Sequence, residues 1–224
     1  MWKQSTIIPI AKNSRPKLLN DYRPVALTSL IMKSLEKLIK KEILGKTEHL
    51  PDPLQFAYRT HRGVQDATIT LLNLIYKHLE GSKNHVSLLF VDFSSAFNTI
   101  QPHLLVEKLI EYFYLDCNIV GWILDFVTDR SQRVRVNEHT STLSRTSTGS
   151  PQGCVLSPLL YIMYTNDCRS KFDNHHIVKF TDDTVIVSLL DDTDTSHGPV
   201  LNYFLDWCNE AFLELNVTKT KDVY

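Results

Sequence analysis

The hydrophobic pattern changes period several times along the chain, and each change marks an element. Thr6 to Ile10 is a short apolar run that predicts a strand, followed by a polar, proline-containing connection from Ala11 to Tyr22. From Leu27 the apolar positions 27, 30, 31, 35, 38, 39 and 43 recur at the spacing of one helical face, with Lys33, Lys37, Lys40 and Lys41 on the other. Pro51-Asp52-Pro53 ends that helix. Gln65 to Leu79 repeats the helical spacing, and Gly81 follows where a C-cap glycine belongs. His85 to Phe93 is nearly continuously apolar, which predicts a buried strand ending at Asp92.

Pro102 suits the first turn of a helix reaching about Tyr114, and a second helix is predicted over Ile119 to Thr128. Residues 132–148 read as a hairpin, 149–153 as a loop, and Leu156 to Asp167 as an apolar helix. Two apolar runs, His176 to Phe180 and Thr184 to Leu190, flank Thr181-Asp182-Asp183, and Val200 to Leu213 is a last amphipathic helix. This mixture predicts an α+β fold with a small antiparallel sheet packed under helices.

With 224 residues, 43% apolar and 22% charged, the chain can bury a core and is not a disordered segment. The four cysteines form no CxxC pair, so they read as free thiols of an intracellular protein. No apolar run has the length of a membrane span, and the first residues lack the apolar stretch of a secretory signal. The net charge of −1 conceals an asymmetry: residues 1–50 carry ten Lys and Arg against four Asp and Glu, whereas residues 182–224 carry two against nine. A basic lobe can grip a polyanion while an acidic cluster elsewhere holds metal, so the total does not exclude a nucleic-acid partner.

Two acidic features run against local stability. Asp92 ends an apolar strand, and Asp182 and Asp183 stand side by side between two others. Like charges this close repel unless a cation neutralises them, and a few hard oxygen ligands suit Mg²⁺. An Asp pair also has a plain explanation, since Asp favours turns, and Asp191-Asp192 reads as an ordinary loop.

Order and spacing favour the chemical reading: a strand-end Asp, about sixty residues on a Ser-Pro-Gln-Gly loop, then an Asp-Asp hairpin. With them stand Ile8-Pro9-Ile10-Ala11-Lys12, Asp21-Tyr22-Arg23-Pro24-Val25-Ala26-Leu27, Gln55-Phe56-Ala57-Tyr58-Arg59, Val91-Asp92-Phe93-Ser94-Ser95-Ala96-Phe97-Asn98 and Leu215-Asn216-Val217-Thr218-Lys219-Thr220. Over nearly its whole length the sequence resembles the reverse transcriptase domain of non-LTR (LINE-type) retrotransposons. The resemblance implies a fingers-like subdomain over 1–84 and a palm over 85–224, with fingers-type insertions around 100–150 and an end before the thumb. It implies template-directed DNA synthesis from an RNA template, a DNA primer and dNTPs, with two Mg²⁺ ions for which Mn²⁺ can substitute.

The resemblance also implies roles for single residues. Asp92 and Asp182 would hold both metal ions, Asp183 would be a secondary ligand, and the backbone carbonyl of Phe93 would complete a shell. Phe97 would exclude a 2′-hydroxyl, Lys12 and Arg23 would grip the triphosphate, and Gln152 and Gly153 would touch nucleotide and template. Lys219 would protonate the departing pyrophosphate, while Arg59 and Arg62 would contact template or phosphate. Thr181 stands where the family usually has Ala, Ala57 where it more often has Gly, and Phe212 at an often polar position. Nuclear residence is implied by the family alone, and no membrane association is expected. Two other readings stay open on the residues: an inactive remnant that binds nucleic acid, and a helical module whose Lys-rich face (33–41) meets an acidic partner.

Overall fold

The structure, a computed structural model, describes residues 3–81, 84–191 and 197–223. Asp192 of the acidic loop at 191–192 therefore lies outside the described residues. The chain divides into two compact units that interleave in sequence: residues 1–50 with 97–160, and residues 51–96 with 161–224.

The first unit begins with β1 (Ser5–Ala11), which pairs antiparallel with β2 (Tyr22–Leu27) from Thr6–Leu27 to Ala11–Tyr22. Helix α1 (Leu30–Thr47) follows, with Ser29 as N-cap accepting a 3.1 Å bond from the Met32 N–H. A side-chain oxygen at that position satisfies one of the orphan donors of the first turn. The helix starts three residues later than its apolar spacing predicts, and its buried side is turned from the predicted face, sharing Ile43 with it. Met32, Glu36, Ile43 and Thr47 are inside, while Leu30, Ile31 and Leu38 are 82%, 65% and 66% exposed. The reason is tertiary: the Glu36 carboxylate accepts a 3.0 Å bond from the Leu156 N–H, which turns that side of the helix inward.

The rest of this unit holds α4 (Pro102–Glu111), α5 (Cys117–Val127), β4 (Arg130–Val136), β5 (His139–Thr140) and β6 (Ser144–Thr146). Between the units' segments runs the single turn α3 (Ala96–Thr99). Strand β4 pairs parallel with β1 and antiparallel with both β5 and β6, so the predicted 132–148 hairpin is part of a larger sheet. Leu105, Leu109, Ile123 and Val127 are fully buried along α4 and α5.

The second unit is built on the sheet β7-β8-β3-β9, where β3 is His85–Val91, β7 His175–Phe180, β8 Asp183–Leu190 and β9 Lys221–Val223. All its pairings are antiparallel. Helix α2 (Val64–Leu79) covers one face, where Phe56, Val178 and Val187 form a core with Leu71, Leu88 and Leu189 packed on it. On the other face, Tyr161 of α6 (Ser157–Tyr164) and Trp207 of α7 (Gly198–Glu210) line a small cleft with Thr184 and Lys179. Cover on both faces of β8, and partial cover of the second face of β3, is why the two read as nearly unbroken apolar runs. The α+β class holds, although two sheets are present among the described residues instead of one. Cys154, Cys168 and Cys208 are buried and Cys117 exposed, all four as free thiols. Burial, with the Glu36 carboxylate second, pushes the Cys154 thiol up to about 12, so it is chemically quiet.

Candidate active site

The register of the second unit's sheet gathers the acidic residues. Val91 of β3 pairs with Thr184 of β8, so Asp92 and Asp183 are the next neighbours across the same two strands. Phe180 pairs with Asp183, which shortens the predicted three-residue connection to the two-residue turn Thr181-Asp182. Thr181 takes φ +61°, the sign that tight hairpin turns demand of their first residue. A β-branched residue is strained there, by about 1–3 kcal/mol. Asp182 thus projects from the turn at the sheet end where Asp92 and Asp183 stand.

The segment after α7 closes against Asp92. Ser94 N–H donates to Glu214 O, Asn216 N–H donates to Asp92 O at 2.8 Å, and Phe93 and Leu215 form an isolated bridge. The Asn216 amide donates a 3.0 Å bond to Asp92 Oδ2, and Lys219 Nζ lies 3.2 Å from the same oxygen. Oδ1 of Asp92 and the exposed Asp183 carboxylate have no hydrogen bond or ion pair among the described residues. Tyr161 sits within electrostatic reach of Asp182, and its phenol is raised well above the usual range, first by burial and then by that carboxylate.

Among the described residues, no three His, Cys, Asp or Glu side chains are gathered so as to hold a metal ion by themselves. The donor set still fits a divalent cation of the Mg²⁺ type, which takes one or two carboxylates and completes its shell with substrate phosphates and water. An unpartnered carboxylate oxygen on Asp92 beside the unpartnered Asp183 supplies such a pair.

The residues expected to meet the nucleotide lie in the first unit. Lys12 sits just past β1, its ammonium donating to Asn20 O at 2.9 Å. Arg23 is exposed on β2, paired with Ile10 along the backbone, and its guanidinium has no hydrogen bond or ion pair among the described residues. Three residues on, Ala26 N–H donates to Gln152 O at 2.7 Å. Gly153 has φ +95°, and a Cβ there would lie 3.1 Å from Val25 Cγ1. The loop is also tied to the Phe97 segment: Ser150 N–H donates to Phe97 O and Gly149 N–H to Ile100 O, both at 2.7 Å. Arg130 secures the same loop by donating to Thr148 O and Gly149 O at 2.5 and 3.1 Å.

Arg59 and Arg62 in the second unit are engaged locally. Arg59 donates to Asp52 O at 2.9 Å, with burial lowering its guanidinium pKa, and Arg62 donates to Pro53 O at 2.6 Å and lies over the Phe56 ring. Sequence reasoning singled out neither Asn216 nor Gln55, whose side-chain oxygen accepts the Thr181 N–H. Both stand inside the matching motifs, and a polar Gln between Leu54 and Phe56 was the available signal.

Against the RNA-directed DNA polymerase of the mobile element jockey of Drosophila melanogaster, the chain is 28% identical over 237 residues, covering 99% of this chain. Against the probable RNA-directed DNA polymerase of transposon BS of the same fly, it is 26% identical over 236 residues, covering 98%. The chain spans 25% of the length of each of these relatives. Among solved structures, apo telomerase from Candida tropicalis aligns with a TM-score of 0.70 at 12% identity, over 99% of this chain and 44% of that one. Telomerase from Candida albicans, in complex with a fragment of telomeric RNA, gives 0.69 at 14%, over 99% and 41%. These likenesses speak to the fold. The family model for reverse transcriptase (RNA-dependent DNA polymerase) matches residues 10–224, so the chain belongs to the reverse transcriptase family.

Proposed function

We propose that this chain carries the nucleotidyl-transfer centre of an RNA-directed DNA polymerase of the non-LTR retrotransposon type. The observation that carries the reading is the β3–β8 register, which sets Asp92 beside Asp183 with Asp182 on the adjoining turn. The substrates are an RNA template, a DNA primer and dNTPs, and the primer 3′-hydroxyl attacks the α-phosphorus with pyrophosphate leaving.

Two Mg²⁺ ions, or Mn²⁺ in their place, would be held by Asp92, Asp182, Asp183 and the Phe93 carbonyl, supplying charge neutralisation at the attacking and leaving oxygens. The chain's own side chains do the rest. Lys219 donates a proton to the departing pyrophosphate, a general-acid task. Its 3.2 Å approach to Asp92 keeps the ammonium at the reacting end of the sheet. Lys12 and Arg23 bind triphosphate oxygens, the point charge and the forked donor stabilising charge that shifts toward pyrophosphate. Phe97 excludes a ribose 2′-hydroxyl by contact, and Gln152 and Gly153 present backbone to the nucleotide and template. Arg59 and Arg62 meet template phosphates with the guanidinium edges left over from their carbonyl bonds.

Fingers and palm correspond in this reading to the N-terminal 84 residues and the remainder, with a fingers-type insertion around 100–150. Residence in the nucleus follows if the enzyme primes synthesis on genomic DNA. No helix among the described residues is long and apolar enough to cross a membrane.

The test is incorporation of dTTP on oligo(dT)·poly(rA) by the purified chain with Mg²⁺ or Mn²⁺. Asp182→Asn is expected to reduce incorporation by about a hundred-fold or more, the scale on which loss of a transition-state charge partner is felt. Incorporation that Asp182→Asn leaves intact would sink the proposal.

A further inference from the structure

The turn that carries Asp182 is held by a segment far from it in sequence. We propose that Gln55 is a positioning residue for Asp182, acting through the backbone of Thr181; this rests on the reading of Asp182 as part of the catalytic centre. Residues 54–56 run beside the end of β7 as a short parallel strip. Lys179 N–H donates to Leu54 O at 2.8 Å, Phe56 N–H donates to Lys179 O at 3.0 Å, and Gln55 forms the parallel bridge with Lys179. The strip brings the Gln55 side chain to the turn, where Oε1 accepts the N–H of Ala57 at 3.0 Å and of Thr181 at 3.3 Å.

Three observations say that this contact does more than fill space. Two N–H donors converge on one atom, which fixes the amide orientation, because a flipped amide would aim its own hydrogens at both. Gln55 is 1% exposed, so water does not stand in for it, and its Nε2 has no hydrogen-bond partner among the described residues. An orphaned buried donor costs stability that Leu or Met in the same space would avoid. The bond falls on Thr181, whose φ of +61° is strained for a β-branched residue. In a two-residue turn the first residue's N–H lies outside the strand ladder, so a partner from elsewhere can hold the turn in one conformation. The next residue is Asp182, whose carboxylate must be held within a fraction of an ångström to serve catalysis.

The strip is anchored from beneath. Lys179 Nζ lies 2.8 Å from Asp52 Oδ2 and donates to Thr165 O and Cys168 O at 2.8 and 2.7 Å. Asp52 Oδ1 accepts the Leu54 N–H at 3.1 Å. Gln55 therefore stands on a fixed support and transmits that fixity to the turn.

The first test needs no variant. Hydrogen exchange at the Thr181 amide of the wild-type chain is expected to be slowed to the level of neighbouring β7 and β8 amides, and exchange at the rate of an open turn overturns the proposal. Gln55→Met keeps length and removes the acceptor. We expect it to lower kcat for single-nucleotide addition by about ten-fold, to change KM for dNTP by less than about two-fold, and to release the Thr181 amide. Gln55→Glu keeps an acceptor oxygen and is expected to restore protection at Thr181. A folded Gln55→Met chain with wild-type kcat, or a Gln55→Glu chain whose Thr181 exchanges as freely as in Gln55→Met, refutes the assignment. A wild-type chain that protects Thr181 yet adds no nucleotide overturns the catalytic reading and the role with it, while leaving the hydrogen bond established.

Discussion

Lys179→Met is the most informative single perturbation of the second unit's stability. The ammonium is 3% exposed at the side chain, the Asp52 carboxylate 5%, and they lie 2.8 Å apart. Nζ also donates to Thr165 O and Cys168 O. Methionine fills similar space but takes the ammonium from a buried carboxylate, whose nearest other cation is Arg169 Nε at 3.9 Å, and removes one donor from Cys168 O and one from Thr165 O, which keeps the Cys168 N–H. Breaking a buried pair from one side costs about 3–5 kcal/mol. A chain of this size loses about 2–4 °C of Tm per kcal/mol, so a fall of roughly 6–20 °C is expected. Urea unfolding followed by fluorescence gives the free energy, since Trp207 lines the same cleft as Lys179. The double variant Asp52→Asn/Lys179→Met removes the stranded charge, so its loss should be smaller than the sum of the single losses by more than about 1 kcal/mol. A loss below about 1 kcal/mol for Lys179→Met, or strict additivity in the double variant, would refute the reasoning.

Three further outcomes follow from the first unit. A Cβ on Gly149 would stand 2.6 Å from Asn98 Cα and 2.7 Å from its carbonyl oxygen, at a φ of +69°. Gly149→Ala should therefore cost about 2–4 kcal/mol in thermal unfolding and raise KM for dNTP, and a neutral effect on both would mean that the loop yields freely. Burial raises the Glu36 carboxyl above the ordinary carboxylate range, with the Leu156 and Val155 N–H groups opposing it. The folded chain then keeps that proton where the unfolded chain has lost it, so this group's stability is complete below the unfolded pKa and is lost as pH rises through the raised one. Glu36→Gln removes the dependence, and its stability relative to wild type should climb from about pH 4 upward; a difference flat with pH would contradict a desolvated Glu36. Phe97→Val should relax the choice between dNTP and rNTP, and unchanged rejection of rNTP in single-addition assays would remove the sugar-excluding role from Phe97.

Much of the site's frame was legible because its signals are local. The apolar run before Asp92 reads as a strand since one face of β3 is buried and Val86 and Leu88 on the other are half-covered. The two runs around residues 181–183 read as a hairpin for the same reason, although the turn proved one residue shorter. Acidic residues that end buried strands stand out against their neighbours. The buried side of helix α1 departs from its apolar spacing because Glu36 is drawn inward by Leu156, a partner 120 positions away. The roles of Gln55 and Asn216 cannot be read from local spacing, since their bonds to Thr181 and Asp92 span 126 and 124 positions.

What the amino-acid sequence determined by itself is therefore the family and most of the elements, β2, α3 and β9 excepted. These follow from periodicity, turn chemistry and motif order, each set within a few residues of chain. What only the tertiary structure decided is register and support: that Asp183 and Asp92 are cross-strand neighbours, that Asn216 and Lys219 share one oxygen of Asp92, and that Gln55 grips the turn. A hydrogen bond across more than a hundred residues leaves no trace in local spacing. It exists only once burial has brought both partners out of water, where each must find the other or go unsatisfied.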